Sequence, residues 1–187
     1  MGNLTFLLGG ARSGKSTYAE RLAAQHKGHI LYIATAQALD EEMRMRIAAH
    51  QQKRPEDWQT LEIPSSVGEY LIAHPPKADF ILLDCITLLI SNLVLQAAPD
   101  LDHPDDTAAE KLAEAEIAKL LEAIRSIPAH WVIVSNEVGM GVVPPYPLGR
   151  IYSDLLGWAN QSLAKEADEV YWLVAGIAVP IHGYRAF

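Results

Sequence analysis

Cysteine is almost missing from this chain: one residue, Cys85, in 187 positions, so no disulfide can form within it. Basic residues are in the minority, 15 Lys and Arg against 23 Asp and Glu, which gives a formal net charge of −8. Nonspecific binding to a polyanion needs clustered cations. The balance therefore argues against a nucleic-acid partner, and any anionic ligand must be met locally. Long apolar runs are also lacking. The most apolar stretch, Phe80 to Leu95, contains Asp84, Thr87, Ser91 and Asn92. It falls short of the roughly 20 apolar residues that a membrane-spanning helix needs, and reads instead as a strand passing into a helix. No signal-peptide succession, internal repeat, low-complexity tract or linker is evident, so a cytoplasmic chain with no membrane span is expected. With 50% hydrophobic and 20% charged residues, the composition fits one globular domain over 1–187.

What the chain does have is an alternation of short branched-apolar runs with helix-like segments. The runs are Leu4 to Leu8, Ile30 to Thr35, Phe80 to Asp84, Trp131 to Asn136 and Val170 to Val174, with a further short strand expected at Gln59 to Ile63. Such alternation predicts an α/β fold, a mostly parallel sheet with helices on both faces. A long helix is expected from about Ala108 to Ile127, where Leu112, Ile117, Leu120, Leu121 and Ile124 fall near 3.6-residue spacing. Thr107 with Glu110 suggests a capping box at its start, and Pro128 closes it. The Pro- and Asp-rich connector Pro99 to Asp106 before it reads as a solvated loop.

Gly9-Gly10-Ala11-Arg12-Ser13-Gly14-Lys15-Ser16 has the form G-x-x-x-x-G-K-[ST], with an apolar strand before it and a helix, Lys15 to Gln25, after it. Glycines let such a loop turn its N–H groups around a phosphate. The lysine can reach β- and γ-oxygens, and the serine can ligate Mg²⁺. The strand ending at Asp84 matches the second signature of phosphate-loop proteins, in which a carboxylate holds Mg²⁺. Asp84 as an N-cap for a helix near Ile86 is the structural alternative. Between these lies a helix-like run, Glu41 to Gln52, that brings Arg46, His50, Lys53 and Arg54 toward one face. Neighbouring cations disfavour imidazolium, which would keep His50 neutral and nucleophilic; a partly exposed histidine in a charged face fits the same pattern. Ser135 to Pro144, with Asn136 and Glu137 at a strand end and two glycines, suits a ligand crevice or an ordinary Gly/Pro turn. Arg150, Asp154 and Gln161 form a polar stripe on a later helix.

Together these segments resemble the bifunctional adenosylcobinamide kinase/adenosylcobinamide-phosphate guanylyltransferase family. The matching features are the loop at 9–16, Tyr32-Ile-Ala-Thr35, the run Asp40 to Ile47, His50, Arg54-Pro55, Trp58, Asp84-Cys-Ile-Thr87 and Asn92-Leu93. Further on come Ser135 to Pro144, Gly149-Arg150, Asp154, Gly157 and Asn160-Gln161. They extend to about Gly176. The loop alone is unspecific; the histidine helix and the Asn-Glu-Val-Gly segment carry the match. One departure is that members often have two adjacent histidines on this helix, whereas here Ala49 precedes His50.

The resemblance implies a P-loop NTPase-type, three-layer fold similar to recombinase ATPases, and a homotrimer. It implies nucleotide contacts from Gly9, Gly10, Ala11, Arg12, Ser13, Gly14, Lys15 and Ser16, from Ala34, Thr35 and Ala36, and from Gln51, Gln52, Lys53, Arg54, Glu62 and Asp84. His50 takes the place of the guanylylated histidine. Adenosylcobinamide and its phosphate are the implied acceptors, with GTP or ATP as donor, Mg²⁺ as cofactor held by Ser16 and Asp84, and Lys15 in the kinase step. Two rivals remain on the residues alone: a kinase of another small metabolite with no covalent nucleotide, and a nucleotide-dependent assembly ATPase.

Overall fold

The computed structural model describes residues 2–38, 41–51, 54–181 and 183; the side chains of Glu42, Met43, Arg46 and His50 lie outside that description. Strands β1 (Asn3–Gly9), β2 (Ile30–Ala34), β3 (Gln59–Glu62), β4 (Phe80–Asp84), β5 (His130–Val134), β6 (Glu169–Val174) and β7 (Ile177–Pro180) form one sheet of order β3-β2-β4-β5-β1-β6-β7. All neighbours pair in parallel except β6 and β7. The helices are α1 (Lys15–Gln25), α2 (Glu41–Gln51), α3 (Val67–Ala73), α4 (Ile86–Gln96), α5 (Asp106–Ser126) and α6 (Pro147–Glu166). Among the described residues no helix is long and apolar enough to cross a membrane.

Successive strand side chains point to opposite faces, and here both faces are dry. Phe6, Leu31, Ile33, Ile81, Leu83, Trp131 and Ile133 join the buried faces of α3, α4, α5 and α6 in one core. Their strand neighbours Leu7, Tyr32, Leu82, Val132 and Val134 pack with Ala19 and Ala23 of α1 and with Trp58 in a second core. This double burial is why the strands read as continuous apolar runs rather than alternating ones. It produces the expected three-layer α/β fold.

Six strands fall where the sequence predicts them, each within two residues of its expected ends. The seventh follows from a two-residue turn, Ala175-Gly176, with φ of 51° and 81°, the left-handed pair that suits a tight hairpin. The capping-box expectation is corrected. Helix α5 starts two residues earlier, its N-cap is Asp105 accepting from Ala108 N at 2.9 Å, and Thr107 lies inside the helix. A short acidic side chain ahead of the first turn competes well for that role. Pro128 does follow the end of α5, as expected.

Candidate active site

The carboxyl ends of β1, β2, β4 and β5 surround a cavity of about 460 Å³ lined by Ala11 to Thr17, Tyr32, Ala34, Ala36, Ile47, Arg54, Glu62, Asp84, Cys85, Thr87, Leu88, Val134 and Asn136. Such a volume suits a nucleotide-sized ligand. The phosphate loop reaches it because its glycines accept what other residues cannot. A Cβ on Gly9 would lie 2.4 Å from the Leu173 carbonyl oxygen, and Gly14 takes φ 98° as the N-cap of α1. Neighbouring segments tie the loop down: Glu137 N donates to Gly9 O at 3.1 Å, and Gly176 N donates to Ser13 O at 2.9 Å. The hairpin tip thus braces the loop.

Lys15 is nearly buried and folds back on the loop, its Nζ donating to Gly9 O at 3.0 Å, Gly10 O at 2.7 Å and Ser13 Oγ at 3.4 Å. Burial lowers its pKa from the ordinary lysine value, opposed by the neighbouring Cys85 and Asp84 groups. Asp84 is not the cap of α4. That position belongs to Cys85, which makes no side-chain capping bond, and Asp84 Oδ2 instead accepts from the Tyr32 hydroxyl at 3.0 Å. Hydroxyl and carboxylate are the hard oxygen donors that Mg²⁺ prefers, and Ser16 and Asp84 face one cavity, so these residues fit that ion. Burial, with Asp84 second, pushes the Cys85 thiol up to about 12. It is therefore protonated at neutral pH and a poor nucleophile.

Thr35, fully buried, works as a brace for this turn. Its Oγ1 donates to Cys85 O at 2.7 Å and accepts from Cys85 N at 2.9 Å, while Asn92 Nδ2 donates to Thr35 O at 2.8 Å and to Pro64 O at 2.9 Å. Ala34 and Ala36 line the cavity, whereas Thr35 does not. On the other side Asn136 N donates to Thr87 Oγ1 at 2.8 Å, and Asn160 accepts from Ser135 Oγ and donates to Asn136 O. The Asn136 backbone is thereby fixed at the cavity wall. Glu137 turns to its own loop, accepting from Gly139 N at 2.6 Å. Arg150 Nη1 donates to Pro144 O and Pro145 O, so part of the expected polar stripe holds that loop closed.

The basic helix needs correction. Helix α2 ends at Gln51, and Arg54 lies beyond it, before Pro55, a neighbour that disfavours helical backbone in the preceding residue. Its guanidinium lies instead over the Tyr32 ring, 3.7 Å from the centroid, with Nε and Nη1 buried and lacking a hydrogen-bond partner. Gln51 Nε2 donates to Glu62 Oε1 at 2.6 Å beside it. His50 belongs to α2, and its side chain is outside the described residues, as are Gln52 and Lys53. Of the expected nucleotide contacts, Ala11 to Ser16, Ala34, Ala36, Arg54, Glu62 and Asp84 line the cavity together. Tyr32, Ile47 and Leu88 were given no role by sequence reasoning. Tyr32 carried a signal all the same, being the polar aromatic of an otherwise aliphatic strand two residues before Ala34.

Comparison with known proteins adds an independent line. The sequence model of the CobU family, cobinamide kinase/cobinamide phosphate guanyltransferase, matches residues 5–181. The chain is 43% identical over 181 residues to the bifunctional adenosylcobalamin biosynthesis protein CobU of Escherichia coli K12, covering 95% of this chain and 99% of that protein. It is also 43% identical over 177 residues to CobP of Pseudomonas aeruginosa PAO1, covering 95% and 96%, and 43% identical over 180 residues to CobU of Salmonella typhimurium LT2, covering 95% and 99%. Among solved structures it resembles a prototypical ATPase from the type III secretion system of pathogenic bacteria, with TM-score 0.54 and 13% identity. The assembled type III secretion ATPase EscN of enteropathogenic E. coli gives TM-score 0.56 and 13% identity. The chain covers 57% and 43% of these longer ATPases, and the likeness is one of fold.

Proposed function

Because the chain belongs to the cobinamide kinase/cobinamide phosphate guanyltransferase family, it is a bifunctional enzyme of adenosylcobalamin biosynthesis, and we propose which of its residues perform the two transfers. In the first, the hydroxyl of the aminopropanol arm of adenosylcobinamide attacks the γ-phosphate of GTP or ATP. The loop N–H groups and Lys15 take up the charge that develops on the transferred group. Bound Mg²⁺ supplies further charge neutralisation there, and Ser16 and Asp84 are the residues assigned to hold it. Arg54 offers unpartnered N–H groups to phosphate oxygens.

In the second transfer, neutral His50 attacks the α-phosphate of GTP. A P–N bond forms, the bond to the bridging oxygen breaks, and pyrophosphate leaves. The phosphate of adenosylcobinamide phosphate then attacks the same phosphorus and releases His50, giving adenosylcobinamide-GDP. Splitting one displacement into two gives each step a better nucleophile or leaving group. Glu137, at the strand end, is the candidate base of the kinase step, and its carboxylate would have to release Gly139 N to act.

The observation that carries this reading is one cavity in which Ala11 to Ser16 of the phosphate loop, Asp84 and Arg54 converge. The proposal extends to a single nucleotide-binding domain over 1–187, to a cytoplasmic setting where GTP and ATP are supplied, and to a homotrimer. Met140, Val142, Val143 and Tyr146, each more than half exposed, support assembly. The test is incubation with Mg²⁺ and α-labelled GTP, followed by denaturation. Acid-labile, alkali-stable label on the protein, absent in His50→Ala, is expected; label that survives the substitution would defeat the assignment. Transfer of γ-label to the corrinoid separates this enzyme from an assembly ATPase.

A further inference from the structure

Tyr32 stands between the two charged side chains on which the cavity depends. Its hydroxyl donates to Asp84 Oδ2 at 3.0 Å, while its ring face carries the Arg54 guanidinium with Cζ 3.7 Å from the centroid. Only 2% of Tyr32 is exposed, and its place is set by the sheet: it lies opposite Thr60 of β3 and Leu82 of β4. A carboxylate and a guanidinium this close to a common ring would ordinarily close into a bidentate ion pair. Among the described residues, no ion pair joins Arg54 to Asp84. The phenol substitutes for the guanidinium on one side and for the carboxylate on the other. Stacking occupies the face of the guanidinium, and its edge N–H groups lie in the plane, where Nε and Nη1 are buried and unpartnered.

We propose that Tyr32 is a positioning residue that holds Asp84 and Arg54 apart, so that the carboxylate stays available to a divalent cation and the guanidinium edge to a phosphate of the same nucleotide. This rests on the reading that the cavity takes a nucleoside triphosphate with Mg²⁺. A direct Arg54–Asp84 pair would satisfy both groups and leave neither for the ligand. Lys15 spends its Nζ on loop carbonyls, whereas Arg54, which also lines the cavity, holds Nε and Nη1 without a hydrogen-bond partner.

The two halves of the role can be separated by substitution. Tyr32→Phe keeps the stack and removes the donor to Asp84; Tyr32→Leu removes both. Binding of a non-hydrolysable GTP analogue to the full-length protein is measured by titration calorimetry across a Mg²⁺ series and in EDTA, with direct Mn²⁺ binding followed by electron paramagnetic resonance. Tyr32→Phe should raise the Mg²⁺ midpoint and weaken Mn²⁺ binding about tenfold, the scale of one hydrogen bond to a charged group, with nucleotide affinity in EDTA unchanged. Tyr32→Leu should weaken the EDTA affinity as well. In an Asp84→Asn background, Tyr32→Phe should add no further shift in the Mg²⁺ midpoint, because the acceptor it serves is altered. Independent, additive effects of these two substitutions would overturn the proposal, as would a Tyr32→Phe protein with the wild-type midpoint. The cycle needs only Tyr32→Phe and Asp84→Asn, so it stands even if Tyr32→Leu fails to fold. Wild-type protein that ignores GTP would overturn the nucleotide reading together with this inference.

Discussion

Lys15 is a cation that must leave one set of partners to serve another. Folded back on Gly9 O and Gly10 O, it gathers the loop around its own charge, and a triphosphate offers it stronger, ionised acceptors. Lys15→Met should therefore lower kcat/KM of the kinase step by about 100- to 1000-fold, the usual loss on removing one charge-stabilising donor, with the thermal midpoint changed little. Steady-state assay beside a melting curve checks this. At the opposite, amino-terminal end of the strands, His130 packs against Phe80 and faces His26, with ring centroids 5.1 Å and 6.4 Å away. Burial first, then His26, lowers its pKa from the ordinary 6.5. The folded state thus resists a proton that the unfolded chain accepts, so stability is full above pH 6.5 and declines as pH falls through that value. Urea midpoints at pH 7.5 and 5.5 should differ less in His130→Gln than in wild type. Neither residue's setting was legible in the sequence to the same degree. Lys15 is announced by its motif, whereas the environment of His130 comes from three separate elements.

At the scale of elements, legibility followed how local the determinants are. Helix α1 has its glycine and lysine motif and α5 its periodicity, and both were foreseen. Helix α3 was not. It has seven residues, begins after Ser66 at φ 57°, and is capped from α5 by Glu116, whose carboxylate accepts from Ser66 N and from Val67 N at 2.8 Å. A cap that comes from fifty residues away leaves no local signature. Burial raises the Glu116 pKa and the backbone donors oppose it. Glu116→Ala should cost about 2–3 kcal/mol of unfolding free energy by urea denaturation, since buried donors lose an ionised acceptor, and Glu116→Gln should cost less. Gly68 permits this packing by its missing side chain: a Cβ there would meet Lys119 C at 2.2 Å and Leu120 N at 2.3 Å. Strand β7 escaped detection for a related reason. Its turn uses Ala175 in a left-handed conformation that Asn or Gly normally marks. Helix α2 was placed well, but the charge pattern also counted Arg54, which lies beyond the helix and before Pro55, a neighbour that disfavours helical backbone.

For the molecule as a whole, the α/β class was legible because every central strand is buried on both faces, and that writes itself as apolar runs. Strand order was not, since nothing within a run names its neighbour. The order matters to function: it sets β1 between β5 and β6 and puts β4 beside β2, so the phosphate loop, Asp84 and Tyr32 meet at one edge. The family match over residues 5–181 and the cavity now agree on nucleotide chemistry. Assembly belongs to this scale too. The exposed Met140, Val142, Val143 and Tyr146 should be covered in a trimer, and light scattering of the purified chain should return three times its 20.5 kDa mass.

We propose that one chain acts at two different phosphorus atoms, the γ-phosphorus of GTP or ATP and the α-phosphorus of GTP, with His50 serving only the second. The most direct measurement is the intact mass of the protein after exposure to GTP and Mg²⁺, with the adduct located by peptide sequencing, in wild type and in His50→Ala. A single guanylyl group on His50 in wild type is predicted, with none on the variant, which still passes γ-phosphate to adenosylcobinamide. A guanylyl group on another residue, or a variant that still makes adenosylcobinamide-GDP, would contradict it.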